Sequence, residues 1–262
     1  MKLQLNGKRA IVCGSSRGIG RAAALELAGL GAHVCLVARN ETALRDVLGR
    51  LETGEGQQHH FLAVDFAQVE ELKQKATDFI SGHGPIHILV NNTGGPPAGP
   101  VHAAAAEEFV RAFSNHLVCN QVLAQAVIPG MKAEKYGRII NIISTSVKQP
   151  ISGLGVSNTV RGAVANWAKT LAEELGPYGI TVNNVLPGAT NTGRLHALIE
   201  SKATQSGKTV AQVTAELKAV IPARRFAEPE EIANAVAFLA SPAASYINGI
   251  NLPVDGGRTR CL

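Results

Sequence analysis

The stretch KRAIVCGSSRGIGRAAALELAGLG, residues 8–31, decides the fold. Its opening is short, apolar and β-branched, as a buried strand is, and its second half, IGRAAALELAG, has the length and apolar spacing of a helix. Between them, Gly14-Ser15-Ser16-Arg17-Gly18-Ile19-Gly20 supplies glycines where the backbone must turn tightly. A helix that begins directly after such a turn presents free N–H groups, which suit a pyrophosphate. The alternative is a tight turn with no ligand, but placement in a complete strand-turn-helix unit favours the phosphate site.

The same alternation continues outward. HVCLVAR is followed by ETALRDVLGRLE, HHFLAVDF by VEELKQKATDFISG, and IHILVNN by a helix over about 104–132. GRIINIIS, a helix over about 157–176, ITVNNVLPG, PEEIANAVAFLAS and INGINLPV complete the chain. Seven strands separated by helices predict an α/β domain, a parallel doubly wound sheet with helices on both faces. Residues 188–228 break the rhythm: they are polar, with one helical stretch, VAQVTAELKAV, and are expected to form a small lid. Its apolar residues Leu195, Leu198, Ile199, Val213, Leu217 and Val220 read either as pocket lining or as packing of the lid onto the body.

Composition narrows the function. The 262 residues are 45% hydrophobic and 17% charged, enough for a sizeable core. A net charge of +5 would suit nucleic acid, but the basic residues are dispersed and 4% aromatics leave little for base stacking, so no nucleic-acid partner is expected. No apolar run is long enough to span a bilayer, and the start has no signal-peptide pattern, so no membrane association and a cytoplasmic location are expected. Cys13, Cys35, Cys119 and Cys261 are scattered, without metal or disulfide spacing, and read as packing residues.

Arg39 ends the second strand, where an acid would hold a ribose 2′-hydroxyl and an arginine accommodates a 2′-phosphate. With Arg17 as a second cation, NADP(H) is favoured over NAD(H); otherwise Arg39 is a solvated strand-end residue. Further motifs follow in order: Asn91-Asn92-Thr93-Gly94 after the fourth strand, Ser144 after the fifth, Pro187-Gly188 after the sixth, and Val254-Asp255-Gly256-Gly257 near the end. With these, residues 5–258 resemble a short-chain dehydrogenase/reductase, in particular the 3-oxoacyl-(acyl-carrier-protein) reductase-like members. The resemblance implies a single Rossmann domain over residues 1–262 with 188–228 as a substrate lid, a bound nicotinamide dinucleotide, and a homodimer or homotetramer built through the two long central helices. By position it implies that Gly14, Ser16, Arg17, Gly18, Ile19, Gly20, Arg39 and Asn40 bind the cofactor, that Asp65 and Phe66 border its adenine, that Asn92, Thr93 and Gly94 line it, and that Pro187, Gly188 and Thr192 hold its nicotinamide end. Asp65 reads equally as a strand-end carboxylate capping a turn.

The resemblance also implies a catalytic serine, a tyrosine, a lysine one helical turn beyond it, and an asparagine on the preceding helix. Ser144 is present, but Ser157 stands at the tyrosine position and Arg161 at the lysine position. The flanks Gly162-Ala163-Val164 and Lys169-Thr170-Leu171-Ala172 match the family's helix without a gap. His116, beside Asn115, occupies the asparagine position. A serine hydroxyl is a far weaker acid than a phenol, and Arg161 can bind ribose hydroxyls and, like Ser157, lie at the reacting end, but it does not give up a proton. His116 is the one substitute with a suitable ordinary pKa, unless it is a packed helix histidine. Two functions follow: an NADP(H)-dependent oxidoreductase acting on a small carbonyl or alcohol with weak or altered catalysis, or a non-catalytic NADP(H)-binding sensor or assembly protein. Arg194, Arg224 and Arg225 are candidates for acyl-carrier docking near the mouth of the site, or simply a solvated basic loop.

Overall fold

Seven strands form one parallel sheet in the computed structural model, which describes residues 1–261. They are β1 (Arg9–Cys13), β2 (His33–Ala38), β3 (His60–Ala63), β4 (Ile88–Asn91), β5 (Gly137–Ile142), β6 (Ile180–Pro187) and β7 (Asn251–Val254), in the order β3-β2-β1-β4-β5-β6-β7. Helices α1 (Gly18–Gly29), α2 (Glu41–Leu48), α3 (Val69–His83), α4 (Ala106–Phe113), α5 (Cys119–Glu134), α6 (Gly155–Leu175), α7 (Gly193–Ser206), α8 (Val210–Ala219) and α9 (Pro229–Ala240) connect them. Alternate strand residues feed two cores. Ala10 and Val12 join Leu27 of α1 and Val236 of α9 on one face, while Ile11 and Cys13 join Phe79 of α3, Leu123 of α5 and Ala168 of α6 on the other. Burying a leucine such as Leu27 or Leu123 completely contributes roughly 1.5–3 kcal/mol. Among the described residues no helix is long and apolar enough to cross a membrane.

The order reverses between β1 and β4, and the strand ends there open a crevice, the usual ligand position of such sheets. A line of asparagines crosses the sheet beside it. Asn91, Asn141, Asn184 and Asn251 are in register on β4, β5, β6 and β7. Asn91 Nδ2 donates to Asn141 Oδ1 (2.8 Å), Asn141 Nδ2 to Asn184 Oδ1 (2.9 Å), and Asn184 Nδ2 to Asn251 Oδ1 (2.8 Å).

The helix expected over about 104–132 is present, as α4 and α5 joined without a gap by a π-helical turn, Ser114–Val118. Two expectations need correcting. Residues 188–228, expected to hold one helical stretch, hold two helices, because Leu195, Leu198, Ile199 and Ala203 form an apolar stripe on α7 that packs with Val213 of α8. Cys13, Cys35 and Cys119 are buried as packing residues, but Cys261 is exposed.

Candidate functional site

The first turn is built by close backbone approach. A Cβ on Gly20 would lie 2.3 Å from the Gly14 carbonyl oxygen, and one on Gly14 would lie 2.6 Å from that of Asn92. Asn92 Nδ2 donates to the carbonyls of Cys13 (3.3 Å) and Gly14 (3.5 Å), and the buried Ser15 hydroxyl accepts from the Val37 N–H (2.9 Å). Loop and strands are thus locked together, while the start of α1 has no side-chain cap and no acid in its first turn. Its N–H groups remain available to an anion. Ser16 is half-buried and Arg17 exposed at this end. Thr192, whose methyl lies 3.3 Å from the place of a Gly18 Cβ, brings the segment after β6 against the turn.

A cleft of about 580 Å³ runs from Ile19 along the sheet's carboxyl edge, past Asn92, Thr93, Gly94, Pro187, Gly188 and Thr192, to Ser144, Ser157 and Arg161. Ser144 Oγ accepts from the Ser146 N–H (3.1 Å). Ser157 and Arg161, one turn apart on α6, share a face, as residues four apart must. Arg161 is buried; its Nη1 donates to the Ile142 carbonyl (2.8 Å), and its Nε has no partner. Burial, followed by the nearby Arg194, pushes its pKa down to about 10, so it stays charged at neutral pH. Arg194 bridges the mouth from α7, with Nη1 donating to Gly95 O (2.9 Å) and Nη2 to Pro96 O (3.0 Å). Paired backbone bonds between Gly99 and the residues Gly153 and Gly155 strap the same loop to the start of α6.

A family profile described as Enoyl-(Acyl carrier protein) reductase matches residues 14–259. The chain is 36% identical over 258 residues to the 3-oxoacyl-(acyl-carrier-protein) reductase FabG of Vibrio cholerae, covering 97% of this chain and 98% of that one. It is 33% identical over 255 residues to the 7alpha-hydroxysteroid dehydrogenase of Escherichia coli K12, covering 97% and 95%. The L-sorbose reductase from Gluconobacter frateurii, solved with NADPH and L-sorbose, superposes over 100% of both chains with a TM-score of 0.93 and 32% identity. The chain belongs to the short-chain dehydrogenase/reductase family.

Within this short-chain dehydrogenase/reductase some expected cofactor residues are otherwise engaged. Phe66 is 8% exposed and packs into the core. Asn40 Oδ1 accepts from the Ala43 N–H (3.0 Å) as the cap of α2. Asp65 caps a turn through the Ala67 N–H (3.0 Å) and lies 3.5 Å from Arg39, an exposed contact. Arg225 is paired with Glu231 and Arg224 with the Ala219 carbonyl, which leaves Arg194 as the cation of that trio that lines the cleft. Of the three arginines that the sequence offers near the mouth, Arg194 alone stands there.

His116 lies on the π-helical turn, buried, sharing a 2.6 Å hydrogen bond with Thr93 Oγ1. Burial first, then Arg161 and Arg194, pushes its pKa down to about 3, against the opposing effect of a hydrogen bond to the Gly94 backbone. It is a neutral imidazole at pH 7, which favours the packed helix histidine over the proton donor, the two alternatives the sequence leaves open. His87, buried beside Lys8 and Arg9, is likewise pushed down, chiefly by burial, to about 4. The folded chain therefore binds fewer protons than the unfolded one as pH drops below 6.5. Stability is full above that pH and falls as the pH does, by on the order of 1 kcal/mol for each histidine at pH 5.5. Urea midpoints at pH 7.5 and 5.5 should show the drop, and His116→Gln should shrink it; an unchanged midpoint would count against both assignments.

Proposed function

We propose that this chain is an NADP(H)-dependent oxidoreductase that interconverts a small carbonyl compound and its alcohol, with a weakened proton-transfer apparatus. The observation that carries it is the continuity of one cleft from Ile19, at the uncapped start of α1, to Ser144, Ser157 and Arg161. The residues fit a dinucleotide: unspent N–H groups face the phosphate position, the space beside Gly94 is open, and Arg161 keeps a buried donor without a partner. The FabG relative and the NADPH-bound L-sorbose reductase support the same reading.

When bound, the dinucleotide supplies a hydride to the carbonyl carbon or takes one from the alcohol. Ser144 and Ser157 would hold the substrate oxygen, Arg161 the ribose hydroxyls at the nicotinamide end. Gly14 to Gly20 would cradle the phosphates, and Asn92 to Gly94, Pro187, Gly188 and Thr192 would line the rest. Reduction also requires a proton on the oxygen. Neither Ser157 nor Arg161 releases one readily at neutral pH, so proton transfer to the oxygen is weakened and the step is slow. α7 and α8 act as the substrate lid. The chains assemble as dimers or tetramers through α4–α5 and α6, where Val110 and Phe113 leave apolar surface exposed.

Arg39 and Arg17 are exposed and able to meet a 2′-phosphate. The Arg39–Asp65 contact does not hold Arg39 back, because an exposed pair contributes only about 0–1 kcal/mol. A charge-assisted hydrogen bond contributes ~1.5–3 kcal/mol, so NADP(H) is expected to bind at least about tenfold more tightly than NAD(H). Calorimetric titration of both should show it, and Arg39→Ala should remove it; equal affinities would refute the preference. The absence of phenol and lysine favours a second reading, a non-catalytic NADP(H) sensor. NADPH consumption over a panel of carbonyl compounds separates the two: tight binding without turnover of any member supports the sensor.

A further inference from the structure

The reactive end of the cleft carries uncompensated positive charge. Arg161 lies on its floor and Arg194 at its mouth, with Lys202 and Arg258 also lining it, and no aspartate or glutamate does so. Arg39, Arg45, Arg50 and Arg225 each reach a carboxylate; Arg161 and Arg194 form no ion pair among the described residues. The two guanidiniums feel each other, since Arg194 helps depress the pKa of Arg161. Like charges held this way in a walled cleft are costly until an anion joins them. Ribose hydroxyls on Arg161 would neutralise none of that charge.

Arg194 is also set in place. Two of its five N–H donors are spent on Gly95 O and Pro96 O, which fixes the plane of the fork and leaves three. A fixed, half-used fork is suited to a planar carboxylate. We infer that the substrate carries a carboxylate, bound by Arg194 with Arg161 behind it, a few atoms from the carbonyl or hydroxyl that faces Ser144 and Ser157. This rests on the cleft being a carbonyl–alcohol redox site, and the other anion that could meet Arg194 is the diphosphate of the dinucleotide.

The test uses 2-oxobutanoate and 4-oxopentanoate with their methyl esters, titrated calorimetrically into the full chain with and without NADP⁺, which cannot reduce them. At least one acid is expected to bind ten times or more tightly than its ester, which corresponds to about 1.4 kcal/mol. Arg194→Gln should erase that difference while changing NADP⁺ affinity less than twofold, and Arg225→Gln, outside the cleft, should leave it intact. Acids and esters that bind alike, or not at all, overturn the inference. Loss of NADP⁺ affinity in Arg194→Gln with the acid preference unchanged assigns the anion to the diphosphate and overturns it too. Reduction of neutral ketones without preference for acids sinks the inference alone. Failure to bind NADP(H) sinks the redox reading, and the titration without NADP⁺ still decides whether the cleft takes a carboxylate.

Discussion

Ser157→Tyr combined with Arg161→Lys is expected to raise reduction of a neutral ketone by ~10²–10⁴, the usual worth of a positioned general acid. Both positions line the cleft, four residues apart on α6, so a phenol and an ammonium would stand on the same helix face beside Ser144. The cleft, about 580 Å³, has space for the larger ring. The two changes belong together, because the ammonium lowers the phenol's pKa and groups acting as a unit are strongly non-additive. Initial rates of NADPH oxidation in the parent, both single variants and the double variant would show it. A parent rate already as high as that of the double variant would mean that a donor other than those at positions 157 and 161 supplies the proton.

Asn141→Leu should destabilise the fold by roughly 2–6 kcal/mol, since each buried polar group left without a partner costs ~1–3 kcal/mol. Asn141 is fully buried; it accepts from Asn91 and donates to Asn184, and leucine of similar size would orphan both without leaving a cavity. Urea denaturation should show a lower midpoint at an unchanged m-value. A loss under 1 kcal/mol would mean that the ladder contributes little.

The strands were legible because β-branched runs buried on both faces have few other structures open to them. The first turn was legible because Gly14, Gly18 and Gly20 answer to local backbone geometry. Helix α7 was hidden by its polar residues, although Leu195, Leu198, Ile199 and Ala203 already had helical spacing. What the sequence left open depends on contacts between distant residues. Arg194 enters the cleft by reaching carbonyls 98 and 99 residues away, and the depressed pKa of His116 comes from burial and from arginines on other helices. The ladder asparagines are single letters until strand register aligns them.

That ladder has a direction. Every link runs from Nδ2 to Oδ1 in the sense Asn91, Asn141, Asn184, Asn251, and at its head Asn91 Oδ1 is buried with nothing donating to it. Turning one inner carboxamide by half a revolution would set nitrogen against nitrogen on one side and oxygen against oxygen on the other. Only two arrangements satisfy every inner link, and passing between them requires all four amides to turn in concert. The middle of the sheet therefore holds one binary orientation in common, and strands that touch only their immediate neighbours are bound to a shared choice.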